Sequence, residues 1–400
     1  MLKSTLRKLK IQDCSALESL QFVMDEGGAS STSSLLMNEE NLSCIGNNNA
    51  SLLGHLEISN CPSLKCISTI VDLATMLKRL DIKECPNLTS LSSRDTLPTT
   101  LKVLRLVDCP KLELDKLNKD ILLEHLLIDG CEKLRCLSNS LHELCHLKEI
   151  DIYKCNSIIS LGDLLPTNLE SLEIKYCEKL EALSNNINNH CHLKEIDIFR
   201  CNSLISLGYL LPTNLRSLKI KDCEKLEALP NNIHNLNFLQ DLSICDCPSI
   251  ISFPEEGFPT NLRQLWLSGA NLCKQVFEFG LHRLTSLTYL SIANGIMDSF
   301  PEEEDGKTML MLPTSLTTLR FYKFPNLLFL SWKFFQNLSA LKEISIGACP
   351  KLAYLSEKCF PPSLQRFHIY GCPVLKQNCE KEIGIMWSKI ANSPWVELMA

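Results

Sequence analysis

Apolar and polar positions follow one arrangement along most of the chain, L-x-x-L-x-L-x-x-C-x-x-L. It reads "LRKLKIQDCSAL" from Leu6, "LGHLEISNCPSL" from Leu53, "LKRLDIKECPNL" from Leu77, "LKVLRLVDCPKL" from Leu101 and "LEHLLIDGCEKL" from Leu123. Within L-x-L both apolar side chains point one way and the residues beside them the other, so each copy predicts one short strand. No copy can bury its own apolar face. Neighbours must stack to create a continuous core.

The frame continues from Leu147, Leu169, Leu193, Leu215 and Leu239, loosens from Leu262, Leu287 and Leu316, and tightens again from Leu341 and Leu364. Spacings of about 22 to 25 residues, with one of 29, match the leucine-rich-repeat period, and about fifteen copies cover the chain. The expected fold is an α/β solenoid: a leucine-rich-repeat horseshoe with a concave parallel β-sheet and short helical turns and loops on its convex side. Returns alternate between extended segments such as "LPTTL" and "LLPTNL" and longer ones such as "LPNNIHNLNFL". Proline favours an extended path in the first kind, and Ile233, Leu236 and Leu239 are spaced for a helical turn in the second.

These features divide the chain into a first repeat at 1–24, a Ser-, Gly- and Asn-rich insertion at 25–50, a solenoid at 51–376 and a C-terminal cap at 377–400. In the cap, Ile383, Met386, Trp387 and Ile390 fall on one helical face before Pro394. No comparable cap precedes Leu6, which leaves the first stack end uncovered and suggests a fragment of a longer chain or a truncated gene product.

Net charge is -6, without long runs of like charge, so no electrostatic footprint for nucleic acid or an anionic membrane stands out. Neither a secretory signal nor a membrane span is visible, which points to the cytoplasm. Twelve of the 21 cysteines occupy the ninth place of the frame, from Cys14 to Cys372. A small residue with a weak thiol donor suits the inward turn after each strand, so these are read as structural, reduced cysteines.

Several motifs imitate chemistry. "HELCH" at 142–146 matches a zinc-binding pattern, but its return segment is too short for the required helix, and "HCH" at 190–192 has too few ligands. "DGKT" at 305–308 lacks the earlier glycine of a phosphate loop. No cofactor, metal or catalytic group is assigned. In "FYKFPNLLFLSWKFF", Phe321 and Phe324 are expected in the core, and Tyr322 and Trp332 at the surface.

The most informative stretch is a duplication. "LKEIDIYKCNSIISLGDLLPTNLESLEIKYCEKLEALSNN" from Leu147 returns 46 residues later from Leu193, and the two blocks differ at 12 of 46 positions. Five differences fall on the ten outward strand positions: Tyr153/Phe199, Lys154/Arg200, Glu170/Arg216, Glu173/Lys219 and Tyr176/Asp222. The strand core is untouched, and two changes reverse charge. This is the pattern of an unchanged frame carrying an altered contact face. The aromatic residues Trp266, Tyr289 and Tyr322, together with Arg320, extend the candidate partner-binding set, since Trp, Tyr and Arg dominate interface hot spots.

The "C-P-x-L" strand ends (Cys61 to Leu64, Cys85 to Leu88, Cys109 to Leu112), the "LPTNL" returns and the tail "EKEIGIMWSKIANSPWVEL" resemble the leucine-rich-repeat regions of plant intracellular nucleotide-binding disease-resistance receptors of the coiled-coil type. That resemblance implies cytosolic recognition of a pathogen effector or a guarded host protein, and restraint of a nucleotide-binding domain in the full-length receptor. This chain carries no phosphate-loop motif of its own. The competing expectation is the substrate-recognition repeat of an F-box ubiquitin-ligase receptor, but those repeats usually continue with an I-T-D-x-G-L-like segment where this chain has "PSL", "EKL" and "NSI".

Overall fold

The computed structural model describes residues 7–19, 35–37, 53–67, 76–91, 97–113, 117, 119–133, 141–161, 165–183, 187, 192–278, 280–300, 312–330, 335, 337–355, 361–381 and 395–399. It falls into two compact units, Met1–Pro212 and Thr213–Ala400. Each is a leucine-rich-repeat solenoid built on a parallel sheet.

In the first unit the strands are β1 (Lys8–Gln12), β2 (Leu35–Met37), β3 (His55–Ser59), β4 (Arg79–Lys83), β5 (Val103–Val107), β6 (His125–Asp129), β7 (Glu149–Tyr153), β8 (Ser171–Lys175) and β9 (Glu195–Phe199). From β3 to β9 they pair in chain order without slippage, so Ile150 lies opposite Leu172 and Leu172 opposite Ile196. Strand β1 joins β3 on one side and β2 on the other. The edge expected to be open therefore carries three residues from the 25–50 segment; the rest of that segment lies outside the described residues.

The second unit contains β10 (Ser217–Lys221), β11 (Asp241–Cys245), β12 (Gln264–Ser268), β13 (Tyr289–Ala293), β14 (Ser299–Phe300), β15 (Thr318–Tyr322), β16 (Phe329–Leu330), β17 (Glu343–Gly347), β18 (Tyr354–Leu355), β19 (Arg366–Tyr370) and β20 (Trp395–Met399). The main sheet runs β10-β11-β12-β13-β15-β17-β19-β20, and the two-residue strands β14, β16 and β18 form a second narrow ladder. Among the described residues, two α-helices, α1 (Ala270–Glu278) and α2 (Pro373–Lys381), interrupt the pattern. Helix α1 has no counterpart in the repeat frame; its buried Leu272, Cys273 and Val276 share a helical face. The expected cap supplies β20, paired with β19, and the end of α2. The helical face from Ile383 to Ile390 lies outside the described residues.

The frame leucines and isoleucines are sealed: Leu172, Leu218 and Leu319 are each 0% exposed. Burying such a side chain contributes about 1.5 to 3 kcal/mol. All twelve frame cysteines are buried thiols that form no disulfide. Their thiols reach back to the backbone carbonyl two residues earlier, as Cys155 does to Tyr153 at 3.2 Å and Cys85 to Lys83 at 3.3 Å. Burial pushes the Cys155 thiol up to about 12, which keeps it protonated and inert near neutral pH.

In the copy from Leu316, Phe321 replaces the aliphatic residue at the sixth place and Phe324 the cysteine at the ninth, and they are 1% and 0% exposed. Trp332 lies outside the described residues. Return segments form single 3-10 turns at Leu141–Glu143, Asn231–Asn235 and Leu281–Arg283. "HELCH" therefore has helical geometry only at its start, and His142, Glu143 and His146 stand exposed. The "DGKT" loop and His190 of "HCH" lie outside the described residues.

Apart from β20, each five-residue strand is followed by a residue of positive φ. Lys154, Tyr176, Arg200, Asp222, Asn294 and Lys323 have φ between 49° and 58°. This turn sends the chain inward to the cysteine position, while its N–H extends the ladder by one bond: Lys154 N donates to Lys175 O at 2.9 Å and Tyr176 N to Phe199 O at 2.8 Å. A side chain other than Gly, Asn or Asp is costly there, by roughly 1 kcal/mol or more. Repetition of the turn in neighbouring repeats supplies the constraint that holds it.

Candidate functional site

The outward side chains of each sheet stand in columns, because the register between strands never shifts. In the first unit Asp151, Glu173 and Asp197 form one column, and Tyr153, Lys175 and Phe199 the next. Glu149 and Glu195 lie in a third, separated by Ser171.

Polar bonds knit this region. The Tyr153 hydroxyl donates to Glu173 Oε1 at 2.6 Å, and the Lys175 ammonium lies 2.6 Å from Glu173 and 3.3 Å from Asp197. Burial, followed by the hydrogen bond to Glu173, raises the Tyr153 phenol. Asp151 is held above the usual carboxylate range by burial and by the charges of Glu173 and Glu149. Its neighbourhood is an electrostatically crowded acidic centre.

Aromatic groups border that centre. Tyr176 and Phe199 meet edge to face with centroids 5.1 Å apart, and the Arg200 guanidinium lies 5.9 Å from the first ring and 5.2 Å from the second. Such contacts favour the geometry over simple apolar burial. Tyr176 is 40% exposed.

The sequence treated the ten residues at the five varied positions as strand residues, and the structure places six of them one step off the strand; four of the six, Lys154, Tyr176, Arg200 and Asp222, occupy the left-handed turn after it. The turn begins there because position nine must face inward. Glu170 and Arg216 immediately precede β8 and β10. Glu170 pairs with Lys194, and the hydrogen bond from that lysine holds the Glu170 carboxyl below its usual range. Lys219 is an exposed, outward residue of β10.

In the second unit Trp266 and Tyr289 pack with centroids 4.9 Å apart, and the Arg320 guanidinium sits 5.5 Å from the Tyr289 ring. Tyr322 approaches Tyr370 at 5.9 Å. The sequence-derived set thus separates into an acidic group around Glu173 and an aromatic-cationic group around Tyr289 and Arg320. Sequence reasoning missed Glu343, Arg366, Gly347 and Tyr370, which complete the latter. A glycine at an outward strand position, with tyrosines at the equivalent places in both neighbouring strands, was the available signal.

No group of three or more His, Cys, Asp or Glu side chains among the described residues could hold a metal ion. No helix among them is long and apolar enough to cross a membrane.

No protein-family model matches the chain. Among curated proteins, it is similar to a putative disease resistance protein of Arabidopsis thaliana, At3g14460, at 35% identity over 144 residues. The match supports a leucine-rich-repeat region similar to that of a plant disease-resistance protein. That match spans 36% of this leucine-rich-repeat region and 10% of the Arabidopsis protein. Among solved structures, a leucine-rich-repeat protein of Leptospira interrogans aligns over 89% of this chain and 93% of its own, at 17% identity and a TM-score of 0.39. A complex of TLR13 with ssRNA13 aligns over 88% of this chain and 55% of that one, at 15% identity and a TM-score of 0.48.

Proposed function

We propose that this leucine-rich-repeat region is the non-catalytic recognition module of a plant intracellular immune receptor. It senses a pathogen effector, directly or through a host protein, in the cytoplasm, and in the full-length receptor it restrains a nucleotide-binding domain. The observation that carries the reading is the duplication: within the 46-residue block the strand core is unchanged, while outward residues alter size and reverse charge. Specificity is a difference of affinities, and it is adjusted most cheaply where substitutions leave the core alone. The similarity to a disease-resistance protein supports the biological setting.

The test places the charge-exchanged variant, Glu170→Arg with Glu173→Lys, in the full-length receptor and measures its melting temperature and effector-triggered response. The expected outcome is altered partner choice with the fold retained. An unchanged response to every effector tried removes this region of the face from the recognition surface. Response at wild-type strength with all outward positions of β7 to β9 and β12 to β19 neutralised would overturn the reading itself.

A further inference from the structure

The second unit presents a preassembled cationic clamp beside a pair of tyrosines. Glu343, on β17, is 9% exposed. Its two carboxylate oxygens are taken by two arginines from the adjacent strands: Arg320 Nη2 lies 3.0 Å from Oε1 and Arg366 Nη2 lies 2.7 Å from Oε2. The guanidinium side chains remain 47% and 58% exposed. One carboxylate therefore fixes two guanidinium groups and leaves a net positive charge, with further N–H donors on each arginine.

Gly347 ends the same strand, in register between Tyr322 and Tyr370. A Cβ on Gly347 would stand 2.1 Å from Tyr370 Cζ and 2.5 Å from its hydroxyl oxygen. The missing side chain is thus the seat of the Tyr370 ring, which lies over the strand and 5.9 Å from Tyr322. Lys323 places its ammonium 5.3 Å from the Tyr322 ring centroid.

We propose that this patch docks an acidic segment of a protein partner, an Asp or Glu carboxylate meeting Arg320 and Arg366 while a flanking apolar or aromatic side chain rests on Tyr322 and Tyr370. The inference rests on the recognition reading above and specifies its partner chemistry. Charge complementarity selects the occupant: the only carboxylate on the described outward positions of β15, β17 and β19 is Glu343, already held by both arginines. Fixed guanidinium groups suit a planar carboxylate, because their donors are oriented before binding. A polyphosphate chain calls instead for a basic track extending along the surface, and here the positive charge is concentrated at one point on a chain of net charge -6.

The experiment selects a random displayed-peptide library on the full chain, sequences the enriched peptides and measures their affinity by calorimetry. Asp or Glu next to Tyr, Trp or Leu is expected in the winners. Arg320→Gln or Arg366→Gln should weaken binding about tenfold or more, the value of one charge-assisted hydrogen bond. Tyr370→Ala should weaken it further, and Glu343→Gln, which removes the clamp's own negative charge, should strengthen it. Gly347→Ala should displace Tyr370 and reduce affinity; if that variant misfolds, the exposed Arg366→Gln still decides the matter.

Enrichment of neutral or basic peptides, or affinities unchanged by both arginine substitutions, overturns the inference. So does displacement of the peptides from the arginines by single-stranded oligouridine. Winners sensitive only to Tyr153 and Glu173 overturn it while sparing the recognition reading. Absence of any enriched binder counts against both.

Discussion

Strands β7 to β9 and strands β12, β13, β15, β17 and β19 carry the same kind of buried alternating apolar core beneath opposite kinds of outer face. The first face presents Asp151, Glu173 and Asp197 in one column, with Lys175 as a shared counter-charge. In the second, the corresponding column runs Trp266, Ser291, Arg320, Ser345 and His368. The first resolves like-charge crowding by sharing one lysine among carboxylates. The second resolves it by placing one buried carboxylate between two arginines. Parallel pairing in constant register makes neighbours of equivalent positions, so a single substitution in one copy changes the electrostatics of three strands.

If the two regions share one core, truncating it should hurt equally. Leu172→Ala in β8 and Leu319→Ala in β15, both fully buried, should each cost about 2 to 5 kcal/mol through lost transfer energy and a residual cavity. Chemical denaturation of the two variants checks this. Values differing by more than about 2 kcal/mol would break the premise of a common core.

The faces should differ at their central carboxylates. Glu343→Ala leaves two arginines facing each other over a buried gap and should cost about 1 to 3 kcal/mol. Glu173 has 30% of its side chain exposed; its replacement by alanine should cost about 1 kcal/mol or less, since solvent screens the exposed pair. Reversal of that order in thermal melts would sink the distinction.

The acidic face should also be recognisable by pH. Burial and the nearby charges of Glu173 and Glu149 raise the folded-state pKa of Asp151. Folded protein therefore binds that proton more tightly than unfolded protein, and stability from this group rises as pH falls through the folded value. Asp151→Asn should stabilise at pH 7 by up to about 1 kcal/mol, an advantage that disappears under acid. Glu170 has the opposite sign: its lowered pKa contributes stability at neutral pH that is lost as pH falls below the ordinary value of 4.5. Urea titrations of the two single variants at neutral and acid pH separate these slopes.

The smallest effect concerns the duplicated block itself. Free surface positions tolerate exchange to within about 0.5 kcal/mol, but Glu170 is paired with Lys194 and Glu173 with Tyr153 and Lys175. The double exchange Glu170→Arg, Glu173→Lys should therefore cost about 1 kcal/mol in a thermal melt. A loss of several kcal/mol would show that these side chains hold the fold as well as the face.

The repeat frame, the strands, the burial of Leu172 and Cys155 and the core substitution of Phe321 and Phe324 were all determined by the sequence itself. They follow from period and side-chain size, which act within one repeat and its immediate neighbours. Tertiary structure decided three further things. Lys154, Tyr176 and Arg200 turn left-handed because position nine must face inward, and for Lys154 and Tyr176 the next strand's carbonyl lies within reach of the N–H. Leu35–Met37 meets β1 although residues 20–34 between them show no frame. Glu343 gathers Arg320 and Arg366 from the repeats on either side, because one repeat of chain becomes one strand spacing across the sheet. Those partners are distant in sequence and adjacent only once the register is set, so the spelling of a single repeat could not announce them.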